Sequence, residues 1–133
     1  MQNTIALKGE FIRKEVEATG VVLPGMQVTM AGAAGGGQRK AFALENDIIG
    51  RGIDDAYAVG EVIQVGCFGS GTEVYAYLAA GENVSAGAAL VGDGAGALEA
   101  VGSEVNQDQV IAFAAESLNN TTSFRARIRI EVA

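Results

Sequence analysis

The sequence predicts a small, mainly β domain, built as an antiparallel sandwich or barrel-like body with at most one short helix. Short apolar runs recur at a spacing of roughly 8–12 residues, which is typical of all-β domains. Glycine-rich turns separate these runs, and residues 123–132 alternate apolar and charged side chains. An alternation of period two is the pattern of a half-buried strand. At 133 residues the chain is most simply one such domain.

The composition predicts a thin hydrophobic core. Hydrophobic residues make up 49% of the chain, but aromatic residues make up only 6% and there are 19 glycines. Alanine and glycine bury little area each, and thin cores are often completed by neighbouring subunits. We therefore expect either an oligomer or a protein that sits on a larger surface.

The charge and the missing residue types exclude several functional classes. A net charge of −7 disfavours binding to nucleic acid or to anionic membranes, both of which need clustered Lys and Arg. The chain has no histidine, so the usual Ser-His-Asp and Cys-His centres are not available. Its single cysteine, Cys67, cannot form an internal disulfide or a cysteine-only metal site, and we interpret it as a buried, inert thiol. We expect no enzymatic activity, no cofactor and no metal.

No targeting or membrane segment is evident in the sequence. The chain contains no apolar run of 18 or more residues, and its first residues lack the apolar core of a signal peptide. We expect the chain to be made and kept in cytoplasm-like, reducing conditions.

The first 20 residues are the most charged part of the chain and fit neither a helix nor a strand pattern well. Two interpretations remain open for them. They form either a frayed terminus followed by a first strand, or an extended arm that becomes ordered on a neighbouring molecule. The predicted organisation is an arm over 1–20 and a single β-rich domain over 21–133.

The middle of the chain predicts strands joined by short turns. Residues 21–30 predict two strands around a Pro24-Gly25 turn, and the glycine-rich segment 31–40 predicts a loop. Short strands follow at 41–45, from Ile48 onward, and at 61–65, with a solvated acidic turn at Asp54 and Asp55. Residues 72–78 are rich in β-forming side chains.

The last third of the chain predicts short strands joined by glycine turns, followed by two further strands. Residues 78–101 alternate short apolar runs with glycines, and 102–109 are polar and loop-like. The alanines of 110–118 permit a helix, but we favour a strand there. Neither 32–40 nor 92–96 carries the Gly-Lys-Ser/Thr ending or the helix start of a nucleotide-binding loop.

The closing strand carries three arginines on one face: Arg125, Arg127 and Arg129, here called the arginine stripe. One interpretation is the solvent-exposed face of an edge strand, whose charges prevent the edge from aggregating with other chains. The other is an inter-subunit strand face that meets an acidic partner or a sister subunit.

The order of these segments resembles that of the capsid decoration, or cement, proteins of tailed bacteriophages. The resemblance lies in IIGRGIDDAYAVGEVIQVG at 48–66, the turn-rich AAGENVSAGAALVGDGAGALEAV at 79–101, VIAFAAESL at 110–118 and the closing RARIRIEV strand. It covers roughly residues 40–133 and is one of layout, since the family has no catalytic signature.

The resemblance implies a non-enzymatic structural protein of the virion. Such proteins bind the outside of an assembled shell, often as trimers, and stabilise the contacts between major capsid proteins. The implied partners are the major capsid protein and the chain itself, as a homotrimer on the outer capsid surface. For the capsid contact we predict apolar anchors and cations of the N-terminal segment: Ile5, Leu7, Lys8, Phe11, Ile12, Arg13 and Lys14.

Two alternatives belong to other classes. Strands separated by short Gly-x-x-Val-x-x-Gly segments, as at Gly81 to Gly87, also occur in barrel-sandwich carrier domains. Those domains need a lysine at a hairpin tip for covalent loading. The sequence places none of its three lysines, Lys8, Lys14 and Lys40, at such a tip. The other alternative is a different virion part, such as a tail or fibre β-domain.

Overall fold

The computed structural model describes residues 4–36, 39–102 and 110–133. The described residues form eleven strands and one short 3-10 helix. The strands are β1 (Ala6–Lys8), β2 (Phe11–Glu17), β3 (Ala41–Ala43), β4 (Val62–Phe68), β5 (Glu73–Leu78), β6 (Asn83–Val84), β7 (Ala89–Gly92), β8 (Leu98–Ala100), β9 (Ala112–Ala114), β10 (Leu118–Asn119) and β11 (Ala126–Val132). The predicted mainly β, barrel-like fold class is confirmed.

A five-stranded barrel forms the body of the protein. Its strands follow the order β5-β11-β9-β7-β8, and a parallel pairing of Leu78 with Leu98 closes β8 onto β5. The N-terminal strand β1 pairs with the first residues of β5, so it lies on the same edge that β8 uses further along. Aliphatic side chains dominate the barrel core, to which Phe42 adds an aromatic ring. The largest fully buried aliphatic residues there are Ile5, Leu44, Leu78, Leu90, Leu98, Ile111, Ile128 and Ile130.

A second, three-stranded sheet of order β2-β4-β3 packs beside the barrel. One of its faces contributes Ile63, Val65 and the alanines of β3 to a second core, together with Val22, Met26, Val28 and Tyr57. Its other face adds Phe42 and Phe68 to the barrel core. The sheet therefore separates two small cores, and alanine fills several positions in each, in keeping with the composition.

Several strand predictions are confirmed. Residues 110–118 contain strands and no helix, because Ala112 and Ala114 turn their side chains into the barrel while Phe113 points outward. The framework over 78–101 supplies β6, β7 and β8, joined by tight turns. The acidic turn at Asp54 and Asp55 is exposed, as predicted.

Other local predictions are wrong. The strand predicted from Ile48 is a 3-10 helix, Asp47–Ile49, because the Asn46 side chain accepts a hydrogen bond from the backbone N–H of Ile48 at 3.2 Å and caps the turn. Residues 21–30 form isolated bridges rather than two strands, although Pro24-Gly25 does form a turn. Parts of the predicted arm and of two predicted loops lie outside the described residues, namely 1–3, 37–38 and 103–109.

Candidate interaction surface

The most accessible strand of the protein is β2, which lies at the edge of the three-stranded sheet. It pairs with β4 over its whole length, from Phe11 opposite Phe68 to Glu17 opposite Val62. On its other side no strand of the described residues pairs with it. A seven-residue edge of this kind presents unpaired backbone groups that can add a further strand.

The hydrogen bonds show which residues of β2 face outward. Ala18 continues the register of β2 and donates its N–H to the carbonyl of Glu61 at 2.8 Å. Because hydrogen-bonded pairs alternate in an antiparallel ladder, Ile12, Lys14 and Val16 also bond to β4. The backbone N–H and C=O groups of Phe11, Arg13 and Glu15 therefore point away from the sheet.

The side chains of β2 are mostly exposed and mix apolar with charged groups. Ile12 is 66% exposed, and the residues two positions before and after it, Glu10 and Lys14, are charged. It borders a shallow depression of about 480 Å³ that Glu10, Phe11, Cys67, Phe68 and Gly69 complete. The rings of Phe11 and Phe68 lie 4.9 Å apart, and the Arg13 guanidinium lies 5.5 Å from the Phe11 ring. An apolar centre with charged neighbours is typical of a surface that a protein partner covers.

The described part of the segment predicted as an arm, residues 4–20, lies along the body instead of standing apart from it. Ile5 is fully buried in the barrel core, so it cannot act as an exposed anchor, and this part of the contact prediction is wrong. The backbone N–H of Ile5 also donates to the Glu45 carboxylate at 2.9 Å. Leu7 is half-buried, while Lys8 has a 73% exposed side chain, 3.5 Å from Glu73.

The arginine stripe lies on a central strand, because β11 pairs with β5 on one side and β9 on the other. The interpretation as an edge strand is therefore wrong. Arg127 donates to the carbonyls of Pro24 and Ile53, and Arg129 forms an ion pair with Glu116 at 3.3 Å. Arg125 lies over the Tyr77 ring at 5.4 Å and is exposed. Within its own chain, the stripe mainly holds other segments against the barrel.

A buried tyrosine supports the sheet that carries β2. The Tyr57 hydroxyl donates to the carbonyl of Leu44 at 2.6 Å and accepts from the backbone N–H of Gln64 in β4 at 3.5 Å. Burial raises the pKa of Tyr57 to about 12. The loop before β4 is held by Glu61, whose pKa is lowered by the hydrogen bond from the Ala58 N–H and then by Arg51. That loop contact weakens when Glu61 is protonated in acid.

Alkaline unfolding tests the role of Tyr57. The unfolded chain ionises its tyrosines near pH 10, while folded Tyr57 stays protonated to about pH 12. The stabilisation is therefore complete below pH 10 and is lost between pH 10 and pH 12, which amounts to about 2.7 kcal/mol. Tyr57→Phe should lose about 1–2 kcal/mol at pH 7 but lack this alkaline loss. Urea unfolding of both proteins at several pH values measures the difference, and parallel pH curves would contradict it.

No group of three or more His, Cys, Asp or Glu side chains is placed to hold a metal ion within residues 4–36, 39–102 and 110–133. Over the same ranges, no helix has the length and apolar character needed to cross a membrane. Cys67 is half-buried, with its Sγ 3.9 Å from the Arg39 guanidinium.

The predicted contact set includes Ile12, Arg13 and Lys14, which are exposed on β2, but it leaves out Glu10. Glu10 is exposed beside the depression and begins the series Glu10, Ile12, Lys14, in which every second residue is spaced to share one face. That spacing is visible in the sequence. Its significance depends on β2 lying at an edge, which the sequence does not show.

No model of a known protein family matches the chain, and no curated protein sequence matches it.

Proposed function

We propose that the protein is a non-enzymatic structural component of a virion. It binds the outside of an assembled phage capsid as a homotrimer and stabilises the contacts between major capsid proteins. The layout of its segments supports this proposal through the resemblance to capsid decoration proteins. The structural observation that carries it is the β1–β2 region, which offers an open strand edge, an apolar depression and exposed cations beside a closed barrel.

The proposed shell contact uses the exposed members of the predicted set, Lys8, Ile12, Arg13 and Lys14, together with half-buried Leu7. Leu7 and Lys8 lie in β1, and the side chains of Ile12, Arg13 and Lys14 stand on the faces of β2. The cations are interspersed with glutamates of the same segment, so the surface carries both signs of charge and its cations suit acidic groups of the shell. Repetition of such contacts around a symmetric shell strengthens attachment through high effective concentration.

The alternative of a carrier domain lacks a suitable lysine. Lys14 lies in the middle of β2, and the Lys40 ammonium donates to the carbonyl of Ala133 at 2.6 Å. Lys8 precedes a turn, but β1 and β2 pair with different strands, so no hairpin presents it. Covalent loading of a carrier needs an exposed lysine at such a tip.

The test is binding to undecorated shells assembled from the major capsid protein of the phage that encodes the chain. We expect the wild-type protein to co-sediment with the shells and to saturate at a fixed number of copies per shell. Saturated shells should also resist heat better than undecorated ones. A chain that stays in the supernatant at every concentration would overturn the proposal.

A single charge reversal locates the contact. Lys8→Glu should weaken shell binding several-fold, whereas Lys8→Arg keeps the charge and should bind like wild type. Removal of residues 1–15 is unsuitable here, because it would take Ile5 out of the barrel core and most of β2 out of its sheet. Unchanged binding by a folded Lys8→Glu protein would exclude Lys8 from the contact.

A further inference from the structure

The β2 edge, meaning the outward side of residues 10–16, is unusual in carrying a large exposed apolar residue, Ile12. Natural edge strands usually avoid pairing with other strands by carrying charges or by being short. Here charges are present, but they flank Ile12 in a definite order: acidic Glu10 on one side, basic Lys14 on the other. When such a strand is reversed against a copy of itself, each acidic end meets a basic end.

We propose that the protein pairs with a second copy of itself through β2. The two strands run antiparallel about a two-fold axis at Ile12. Ile12 then lies opposite the partner's Ile12, and Glu10 lies opposite the partner's Lys14. Symmetry repeats the ion pair with Lys14 and the partner's Glu10. The result is a continuous sheet of order β3-β4-β2 followed by the partner's β2-β4-β3.

The backbone geometry fits this register. Phe11 and Arg13 present their N–H and C=O groups outward, so Phe11 and the partner's Arg13 can exchange two hydrogen bonds, and symmetry doubles this exchange. On the same face each Phe11 ring lies opposite a guanidinium, a favourable contact. Ile12 occupies a non-hydrogen-bonded position, where facing side chains are closest. The exposed isoleucine is thereby covered by its own copy.

Registers shifted toward the end of β2 are less favourable. An axis at Arg13 would set that guanidinium opposite itself, and an axis at Lys14 would do the same with two ammonium groups, both of which are destabilising. The far end of the edge is also covered, because the loop at Gly32 lies directly over the carbonyl of Glu17. The accessible part of the edge is therefore centred toward Glu10.

The pairing does not depend on the proposed capsid role. A two-fold contact cannot itself build a trimer, so in a coat of trimers it would join copies from neighbouring trimers. Strand pairing occupies the β2 edge together with Ile12, Arg13 and Lys14, so in paired copies the shell contact would rest on the side chains of Lys8 and Leu7. Failure of one proposal would leave the other standing.

Disulfide trapping tests the register directly. Ile12 lies opposite Cys67 within its own chain, so the experiment uses a Cys67→Ala background. In it, Ile12→Cys should form a covalent dimer under mild oxidation, because facing Cα atoms at such a position lie within the disulfide range of about 4.4–6.8 Å. Lys14→Cys should cross-link far more slowly, since the two cysteines would be offset by about 13 Å along the strands. Equal cross-linking at the two positions would overturn the register.

Charge reversal tests the pairing without cysteines. Sedimentation of the wild-type protein at physiological ionic strength should show reversible association. Glu10→Lys or Lys14→Glu alone should weaken it by about tenfold, because symmetry counts each change twice, and the double variant should restore it. Glu15→Lys is the matched control on the same strand, with no charged partner in this register. The proposal would be overturned if none of these substitutions changed the association and Ile12→Cys did not cross-link. The β2 edge would then be left to a different protein.

Discussion

Replacing Gly32 with alanine is expected to cost about 4 kcal/mol of the free energy of unfolding. Gly32 has a φ of +81°, which is unfavourable for a residue with a side chain. A Cβ atom at this position would also lie 1.9 Å from the carbonyl oxygen of Glu17. The obstacle is backbone, held in place by the hydrogen bond from the Thr19 N–H to the Gly32 carbonyl at 2.9 Å, so it cannot rotate away.

Gly81→Ala is the matched control for this substitution. Gly81 has a nearly identical φ of +79°, but a Cβ atom there would meet no atom within 4 Å. We expect this variant to lose only the conformational cost, about 1–2 kcal/mol. Urea unfolding of the two variants and the wild type separates steric from conformational effects. Equal losses at the two positions would show that the approach of Gly32 to β2 contributes nothing to stability.

The closing strand shows how far a sequence pattern carries. The alternation over 123–132 predicted β11 correctly, since Ile128, Ile130 and Val132 all turn into the barrel core. The pattern describes only the two faces of a strand, however, and not its edges. That β11 lies between β5 and β9 follows from pairings with residues far away in sequence, so the central position of the arginine stripe could not be predicted.

Ile5 and Ile12 make the same point at the candidate surface. Both are isoleucines in the charged first segment, and the sequence predicted the same role for both. Ile5 is fully buried because β1 joins the barrel beside β5, whereas Ile12 is exposed because β2 ends a different sheet. The bend between β1 and β2 at Gly9 separates the two environments, and long-range pairing alone determines which isoleucine remains accessible.

The 3-10 helix at Asp47–Ile49 shows a different limit. Its two isoleucines favour a strand by intrinsic preference, but Asn46 caps the turn and Gly50 ends it in a left-handed conformation. Ile48 is left 92% exposed, so it gains none of the burial on which a strand prediction relies. Local capping prevails here because no strand of the described residues pairs with Asp47–Ile49.

Arg127→Ala is expected to be among the most damaging changes on the surface of the barrel, with a loss of about 3 kcal/mol. The Arg127 side chain is only 14% exposed and joins three segments. It donates to the Pro24 carbonyl at 2.7 Å and to the Ile53 carbonyl, and its guanidinium stacks over the Tyr77 ring at 4.1 Å. Truncation leaves two carbonyls without their donor and opens a gap beside the aromatic ring.

Two further variants separate the contributions at this position. Arg127→Lys keeps the charge but cannot donate to both carbonyls as the planar guanidinium does. It should therefore lower the free energy of unfolding by about half as much as Arg127→Ala. Arg125→Ala is the control, since Arg125 is exposed and lies over the Tyr77 ring at 5.4 Å without bridging two loops, and it should cost less than about 1 kcal/mol. The nearby Asp54 is exposed and contributes little. Urea unfolding measures the free energy of each variant. Similar losses for Arg125→Ala and Arg127→Ala would show that other contacts hold the two loops that Arg127 joins to the barrel. The arginine stripe would then be free to meet a sister subunit.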